Sequence, residues 1–344
     1  MPGHLVPYSI GMTAENARAG SAVPDASAVS AALQIARRAP SLHNSQPWRL
    51  VFDGKRLHLH SDPDRSLPMA DPDGRQQVIS CGAMLHHTRT AFAANGWHTD
   101  VVRLPDPARP RYLAALAFRP WPDPPERIRT QAKVILRRYS DRLPMDEPEG
   151  WDALLPGVTE VARTCEVTLD DLPDSVRERL AAASDQAEAL RRYDKPYQSE
   201  LRWWTGHFDL PEGIPPTALA TAAEAGRVPV RRDFPTAPGT TRRATPEDRA
   251  RLLALSSAED STAQWLRTGE ALSAVLLECT GAGLSTCPLT HITELPAARR
   301  VIAGLLPHHL RPQVVVRVGT APDPDPLPPT PRLPIEDILT VTTP

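Results

Sequence analysis

The chain has 344 residues, and 39 Lys and Arg stand against 41 Asp and Glu for a formal net charge of −2, which excludes a nucleic-acid protein held by bulk charge. Hydrophobic residues make up 41% and charged residues 23%, which excludes broad disorder, and no run approaches the ~18 apolar residues of a membrane span. The length suggests roughly two domains at ~150 residues each, and the 39 prolines, about twice average usage, punctuate loops without forming a P-x-x-P array.

Residues 1–26 are small, polar and aperiodic, and read as a flexible N-terminal arm. They lack the basic start and apolar stretch of a secretory signal. A helix is expected over 28–38, where Val29, Leu33 and Ile35 or Ala36 give helical spacing. It stops before Pro40, because the residue ahead of a proline is pushed out of the helical region. Strands follow at 48–52 and 56–60, joined by the Asp53-Gly54 turn signal. A buried helix spans 76–94 and ends at Asn95-Gly96, and strands follow at 99–104 and 112–119. Helices mixed with hairpins favour an α+β sheet over a doubly wound parallel one.

Residues 120–125 form the candidate linker, and the second half is richer in helix. Helices are expected at 126–139, 175–193 (amphipathic) and 262–280, the last closed by Gly281 and Gly283. Residues 313–318 read as a central apolar strand, followed by a proline-rich tail that ends in 335–339. Residues 203–245 are rich in Pro, Gly, Ala and Arg with little periodicity, which suits a functional loop, a lid or an insert. Its opening aromatic cluster, Trp203, Trp204, His207 and Phe208, fits either a lid or core packing. The expected organisation is an arm at 1–26, a first lobe at 27–122, and a second lobe at 123–344 with the insert at about 203–245.

Most catalytic signatures are absent. There is no Walker loop, G-x-S-x-G elbow, H-E-x-x-H or kinase set, and Gly281-Ala282-Gly283 begins a G-x-G pattern after a helix instead of a strand. His58 and His60 share one strand face, but with no third ligand nearby they read as a polar face and not a metal site. His86 and His87 point to different sides of a helix. Cys81, Cys165, Cys279 and Cys287 form no C-x-x-C and read as reduced thiols of a cytoplasmic protein.

One segment is dense in chemistry: Ala39-Pro40-Ser41-Leu42-His43-Asn44-Ser45-Gln46-Pro47-Trp48. It joins a helix to a strand. Ser41, Asn44 and Gln46 offer donors and acceptors, and two prolines stiffen the backbone. Such a loop suits a flat heterocycle edged with carbonyls and N–H groups. It equally suits a helix-terminating turn capped by Ser41 and Asn44.

This segment closely resembles the A-P-S-x-x-N-x-Q-P-W loop of the nitroreductase family of flavoproteins. In the same order, Arg137-Arg138-Tyr139-Ser140-Asp141-Arg142 resembles the family's R-R-x-S-x-R phosphate motif. Gly281 to Thr286 resembles its glycine turn, and Arg332 to Ile338 its R-x-P-x-E-x-[VIL] end. Length and layout resemble the Acg-like branch, over about 28–339. The resemblance implies an α+β nitroreductase-like fold with two similar lobes fused in one chain. In the family's dimer, one subunit gives the arginines and the other the loop. Here the loop lies in the first half and the arginines open the second, so the motif order implies a fused pseudo-dimer with one surviving FMN site and a monomeric state.

By this resemblance Pro40, Ser41, His43, Asn44 and Gln46 hold the flavin ring, with His43 replacing a usually small residue. Arg137, Arg138, Ser140, Arg142 and Arg332 clamp the phosphate by forked, charge-assisted hydrogen bonds. Gly283, Leu284, Ser285 and Thr286 lie by the redox edge. No catalytic side chain is implied, since the flavin carries hydride. The implied activity is hydride transfer from NAD(P)H via FMN to a nitroaromatic, quinone or other small aromatic acceptor, without nucleic acid, membrane or metal. Two other readings stand beside it: a flavin-sequestering protein whose lid bars NAD(P)H, and a cofactor-free two-lobed protein.

Overall fold

The computed structural model describes residues 22–206, 210–245, 247–308, 310–322 and 328–342. The expected arm therefore lies almost wholly outside the described residues. The chain opens with α1 (Ala26–Ala36), whose Asp25 side chain accepts from the Ala28 N–H as its N-cap. The hairpin β1 (Trp48–Phe52) and β2 (Arg56–Ser61) comes next, then α2 (Arg75–Ala94), β3 (Trp97–Arg103) and β4 (Tyr112–Pro120). After residues 121–125 come α3 (Glu126–Arg137), α4 (Trp151–Arg163), β5 (Thr168–Leu172), α5 (Arg177–Arg191), α6 (Lys195–Trp203) and the short α7 (Ala222–Ala225). The chain closes with β6 (Arg251–Ser257), α8 (Thr262–Gly281), β7 (Ser285–Leu289), α9 (His291–Glu294), α10 (Pro296–Ala303), β8 (Arg311–Gly319), α11 (Ile335–Ile338) and β9 (Leu339–Val341).

The fold is α+β, with two sheets of the same design. The first runs β3-β4-β2-β1-β9 and the second β7-β8-β6-β5. In each, the first four strands pair antiparallel in matching order. β9 is the exception: it crosses from the second half and lies parallel to β1, with Leu50 opposite Leu339. That crossing carries Arg332 to the first lobe, so the C-terminal tail packs with the core of 27–122.

The two long helices α2 and α8, each of 20 residues, meet across an approximate two-fold axis. Gly82 and Gly269, each the eighth residue of its helix, face one another. A Cβ at Gly82 would stand 2.1 Å from the Leu266 carbonyl oxygen, and one at Gly269 would stand 1.9 Å from that of Ile79. Only glycine permits this approach. Four residues on, His86 Nδ1 and Ser273 Oγ meet at 2.8 Å, again at matching helix positions.

Burial differs between the sheets. β1 alternates buried and exposed positions, as in a sheet with one wet face. β6 and β8 are buried along nearly their whole length, because one core of α4 and α8 packs on one face and a second core of α5, α9 and α10 on the other.

Several elements escaped the sequence reading. α4 carries Pro156 within it, followed by Gly157, a pair that reads as a helix stop. β7 contains Pro288, which is tolerated because β7 is an edge strand. The expected helix 126–139 stops at Arg137, and Arg138 is already extended with ψ 130°. No described helix is long and apolar enough to cross a membrane.

Candidate functional site

The loop after α1 is held in an unusual shape. His43, Asn44 and Gln46 have φ of 50°, 58° and 50°, the left-handed region where each non-glycine residue costs about 1–3 kcal/mol. The surroundings enforce it. The Gln46 N–H donates to Ser41 Oγ at 3.0 Å, and Leu42 N–H donates to Ser80 Oγ on α2 at 3.2 Å. Cys81 Sγ donates to the Pro47 carbonyl, and Trp48 is wholly buried behind the loop.

This loop forms one wall of a cavity between the lobes. Pro40, Ser41 and His43 line it from the first lobe, with Ile79 and Ser80 of α2. Ser140, Arg142, Leu272 and residues 287–291 line it from the second lobe, and Ile214 and residues 231–235 of the insert cover it. The sequence-predicted residues are thus brought together across the lobe boundary, but not all reach the cavity. Arg137 is exposed at the end of α3. Gly283 makes the left-handed turn after α8 (φ 86°), and Leu284 is buried in the second-lobe core. Ser285 and Thr286 begin β7, and Thr286 is bridged to Ser140, with the Asp141 N–H donating to the Thr286 carbonyl at 2.8 Å. The wall on that side comes from Cys287 to His291, of which the sequence reading named only Cys287, as a reduced thiol.

The expected phosphate arginines separate into two groups. Arg142 lines the cavity, stacks over Phe234 at 5.3 Å and donates to the Ala218 carbonyl at 3.2 Å. Arg138 turns to a different cluster with Arg38 and Arg332. It is 4% exposed, and its Nε and Nη1 have no hydrogen-bond partner. Burial pushes its guanidinium down to about 10, helped by the like charges of Arg38 and Arg142. Arg332 is likewise held well below its ordinary value, by burial and by Arg38, Arg138 and Arg37. It donates to the backbone carbonyls of Arg37, Arg38, Thr330 and Pro331. No carboxylate hydrogen-bonds to Arg38, Arg138 or Arg332 among the described residues, so the cluster carries uncompensated positive charge. Arg38 was missed, although Arg37-Arg38 stands directly ahead of the dense loop.

Asn44 and Gln46 hold the insert. Asn44 Nδ2 donates to the Gly213 carbonyl at 2.9 Å and Gln46 Nε2 to that of Pro211 at 2.9 Å. Gln46 Oε1 accepts from the Leu333 N–H, tying in the C-terminal tail. The Asn44 Oδ1 and His43 Nε2 atoms are buried without partners. His43 meets Phe234 edge-on at 5.7 Å, and burial with Arg232 and Arg142 holds its ring well below its ordinary value, hence neutral. The expected aromatic lid cluster is dispersed. Trp204 packs with Leu67, Ala70, Tyr197 and Leu201, Trp203 is largely exposed, and His207 and Phe208 lie outside the described residues. Phe234 takes the place over the cavity.

Two buried ion pairs stiffen the wall. Arg232 is bound to Glu294, and Arg317 meets Asp248 at 2.5 Å, both nearly inaccessible to water. Asp248 also accepts from the Met145 N–H. Asp248→Ala should therefore cost about 3–5 kcal/mol in denaturant unfolding, since it strands the Arg317 charge. Cys287 lines the cavity, but burial pushes its thiol up, so it is not a reactive thiolate. All four cysteines are free, and no cluster of metal ligands occurs among the described residues. His58 is tied to Asp53 at 2.9 Å and to Tyr112, on which His60 stacks.

A two-lobed α+β chain with a basic, composite cleft between its lobes is the class of protein seen here. No family model matches the chain. It is 46% identical over 317 residues to a Mycobacterium tuberculosis protein named "Putative NAD(P)H nitroreductase acg", covering 91% of this chain and 95% of that one. It is 42% identical over 316 residues to an uncharacterized protein of the same organism, covering 90% and 92%. The chain belongs to the nitroreductase family, in its Acg-like branch. It is also similar to the solved FMN-dependent nitroreductase NfnB from Mycobacterium smegmatis in complex with NADPH. There the identity is 14% and the TM-score 0.38, over 60% of this chain and 96% of that one.

Proposed function

We propose that the chain is an FMN-dependent oxidoreductase of nitroreductase type, taking hydride from NAD(P)H and passing it to a nitroaromatic, quinone or similar acceptor. The carrying observation is Arg138: a buried guanidinium with two unpartnered nitrogen atoms, crowded by other arginines. A buried unpaired charge is costly, and a phosphate monoester is the partner that fits it. Arg38, Arg138 and Arg332 hold the phosphate end in this reading. Ser41, His43 and Arg142, which line the cavity, face the flavin ring. FMN, when bound, supplies the hydride-carrying chemistry. The residues of this chain bind and orient it, and the insert excludes water.

The matching strand orders and the Gly82–Gly269 contact support a fused pseudo-dimer, which acts as a monomer. On α8, the positions matching Ile79 and Ser80 hold Leu266, wholly buried, and Arg267, paired with Glu166 at 2.8 Å. That supports one site per chain. The division into lobes at 27–122 and 123–344 is part of the same reading, with the final strand exchanged between them.

A second reading is favoured by the insert. Its bonds to Asn44 and Gln46, its stacking on Arg142 and the buried Arg243–Asp141 pair (2.7 Å) pin it across the cavity. Such a lid would leave FMN held and NAD(P)H shut out. Anaerobic NADPH or NADH added to the flavin-loaded protein separates the two: prompt bleaching supports turnover, and bleaching by dithionite alone supports sequestration. If the lid is what limits reduction, Phe234→Ala should speed bleaching by NADPH at least severalfold in stopped-flow absorbance.

A further inference from the structure

Two buried side chains in the wall of the cavity have hydrogen-bonding capacity that the protein leaves unused. His291 opens α9, and Gln76 lies in the first turn of α2; both line the cavity and both are buried. His291 Nδ1 and Gln76 Oε1 have no hydrogen-bond partner. Buried polar groups are almost always satisfied, so each asks for a ligand atom.

The neighbours decide which kind of atom. Ser184 on α5 stands 2.8 Å from His291 Nε2, and its hydroxyl donates to the Arg231 carbonyl at 3.0 Å. A hydroxyl has one proton to give, and a carbonyl has none. The contact with His291 therefore needs the proton on Nε2. Burial, with Arg232 and Arg231 close by, holds the ring well below its ordinary value and so keeps it neutral. A neutral imidazole carries one N–H, which leaves Nδ1 as a bare acceptor. Ser184 is not among the residues that line the cavity, and the two ring nitrogens diverge, so Nδ1 is on the cavity's side of the ring. Gln76 is fixed by the same logic. Its Nε2 donates to Glu294 Oε1 at 3.3 Å, and a carboxylate only accepts, so the amide oxygen is the end left over. Glu294 is held in turn by Arg232, which also donates to Thr290 Oγ1 at 3.2 Å, next to His291.

We propose that His291 and Gln76 form the substrate subsite: they accept hydrogen bonds from hydroxyl or amino groups on the ring compound that the flavin reduces, and so select donor-bearing aromatics. This rests on the reading of the cavity as the place where FMN meets its electron acceptor, and it names the class of that compound. The ring of oxidised flavin offers one N–H, so it cannot satisfy both residues. A small aromatic carrying O–H or N–H groups can, between the apolar side chains of Ile79, Leu272 and Leu289. Ser184 acts through His291, as a positioning residue that fixes its tautomer.

The test is equilibrium dialysis of the FMN-loaded full chain against 3-nitrophenol and against 3-nitrotoluene, in which a methyl group replaces the hydroxyl. Without NAD(P)H nothing turns over, and the pH is kept where the hydroxyl holds its proton. Wild type should bind the phenol about tenfold more tightly. His291→Phe and Gln76→Met should each narrow that preference to about threefold or less, with FMN still bound. Ser184→Ala frees the His291 ring to carry its proton on Nδ1, and should narrow the preference from outside the cavity; it gives the same readout if His291→Phe does not fold. A wild type that takes up FMN but binds both compounds alike would overturn this inference alone, as would variants that keep the full preference. Variants that lose FMN instead would set the two residues against the flavin and overturn it too. A wild type that takes up no FMN would overturn the flavin reading beneath it.

Discussion

Arg138→Met should weaken FMN binding by about one to two orders of magnitude while leaving the free protein as stable as before, or more so. The two halves of this expectation have one cause. Charge-assisted hydrogen bonds contribute about 1.5–3 kcal/mol each, and Arg138 has two nitrogen atoms committed to nothing in the protein. Losing them should cost the cofactor. Yet the same guanidinium is buried, unpaired and repelled by Arg38 and Arg142. Methionine fills much of its volume without that penalty. Thermal unfolding without FMN should therefore show an equal or higher midpoint, and the rise in midpoint on adding FMN should shrink. Asp248→Ala makes the contrast: there the partner left behind is a buried charge, and stability falls. An Arg138→Met protein that unfolds more easily and binds FMN normally would mean that the residue is structural.

Gly269→Ala should destabilise the chain by about 3 kcal/mol or more, the upper end for overpacking. The added methyl group would stand 1.9 Å from the Ile79 carbonyl oxygen and 2.7 Å from the Gly82 Cα. Both are backbone atoms of a buried helix, so α2 and α8 must separate along their length. Gly82→Ala should cost a similar amount, since it meets the Leu266 carbonyl at the matching place. The double variant should cost clearly less than the two added together, because one separation accommodates both methyl groups. Denaturant unfolding of the four proteins reads this directly. Full additivity would contradict a shared two-fold contact. FMN binding should fall in each variant too, because the cavity takes Ile79 and Ser80 from α2 and Leu272 from α8.

The first lobe was readable in the sequence because its elements follow simple rules. β1 alternates, Asp53-Gly54 turns the hairpin, and Asn95-Gly96 ends α2. The second lobe hides all of its strands but β8. β6 is buried on both faces, so its apolar run has no alternation to read. α4 and β7 each contain a proline that isolated rules count as a break. The glycine contact at the helix crossing is silent in sequence, since only the partner helix explains it. At the site, the loop 39–48 announced itself by density of polar groups and prolines. Arg38 did not: an arginine at a helix end gives no sign that the C-terminal tail will close over it. Arg142 and Arg138 lie four residues apart in one motif yet face different ends of the cleft, because the chain leaves the helix at Arg138 and bridges to Thr286 at Ser140.

One composite FMN site per chain, built from both lobes, is the proposal on which the rest depends. Titration of the purified protein with FMN, followed by visible absorption and by mass under native conditions, tests it most directly. Saturation is expected at one FMN per 37.6 kDa chain, in a monomer, with Arg138→Met failing to saturate at the same concentrations. A protein that stays colourless at saturating FMN, or one that binds two flavins per chain, would contradict it.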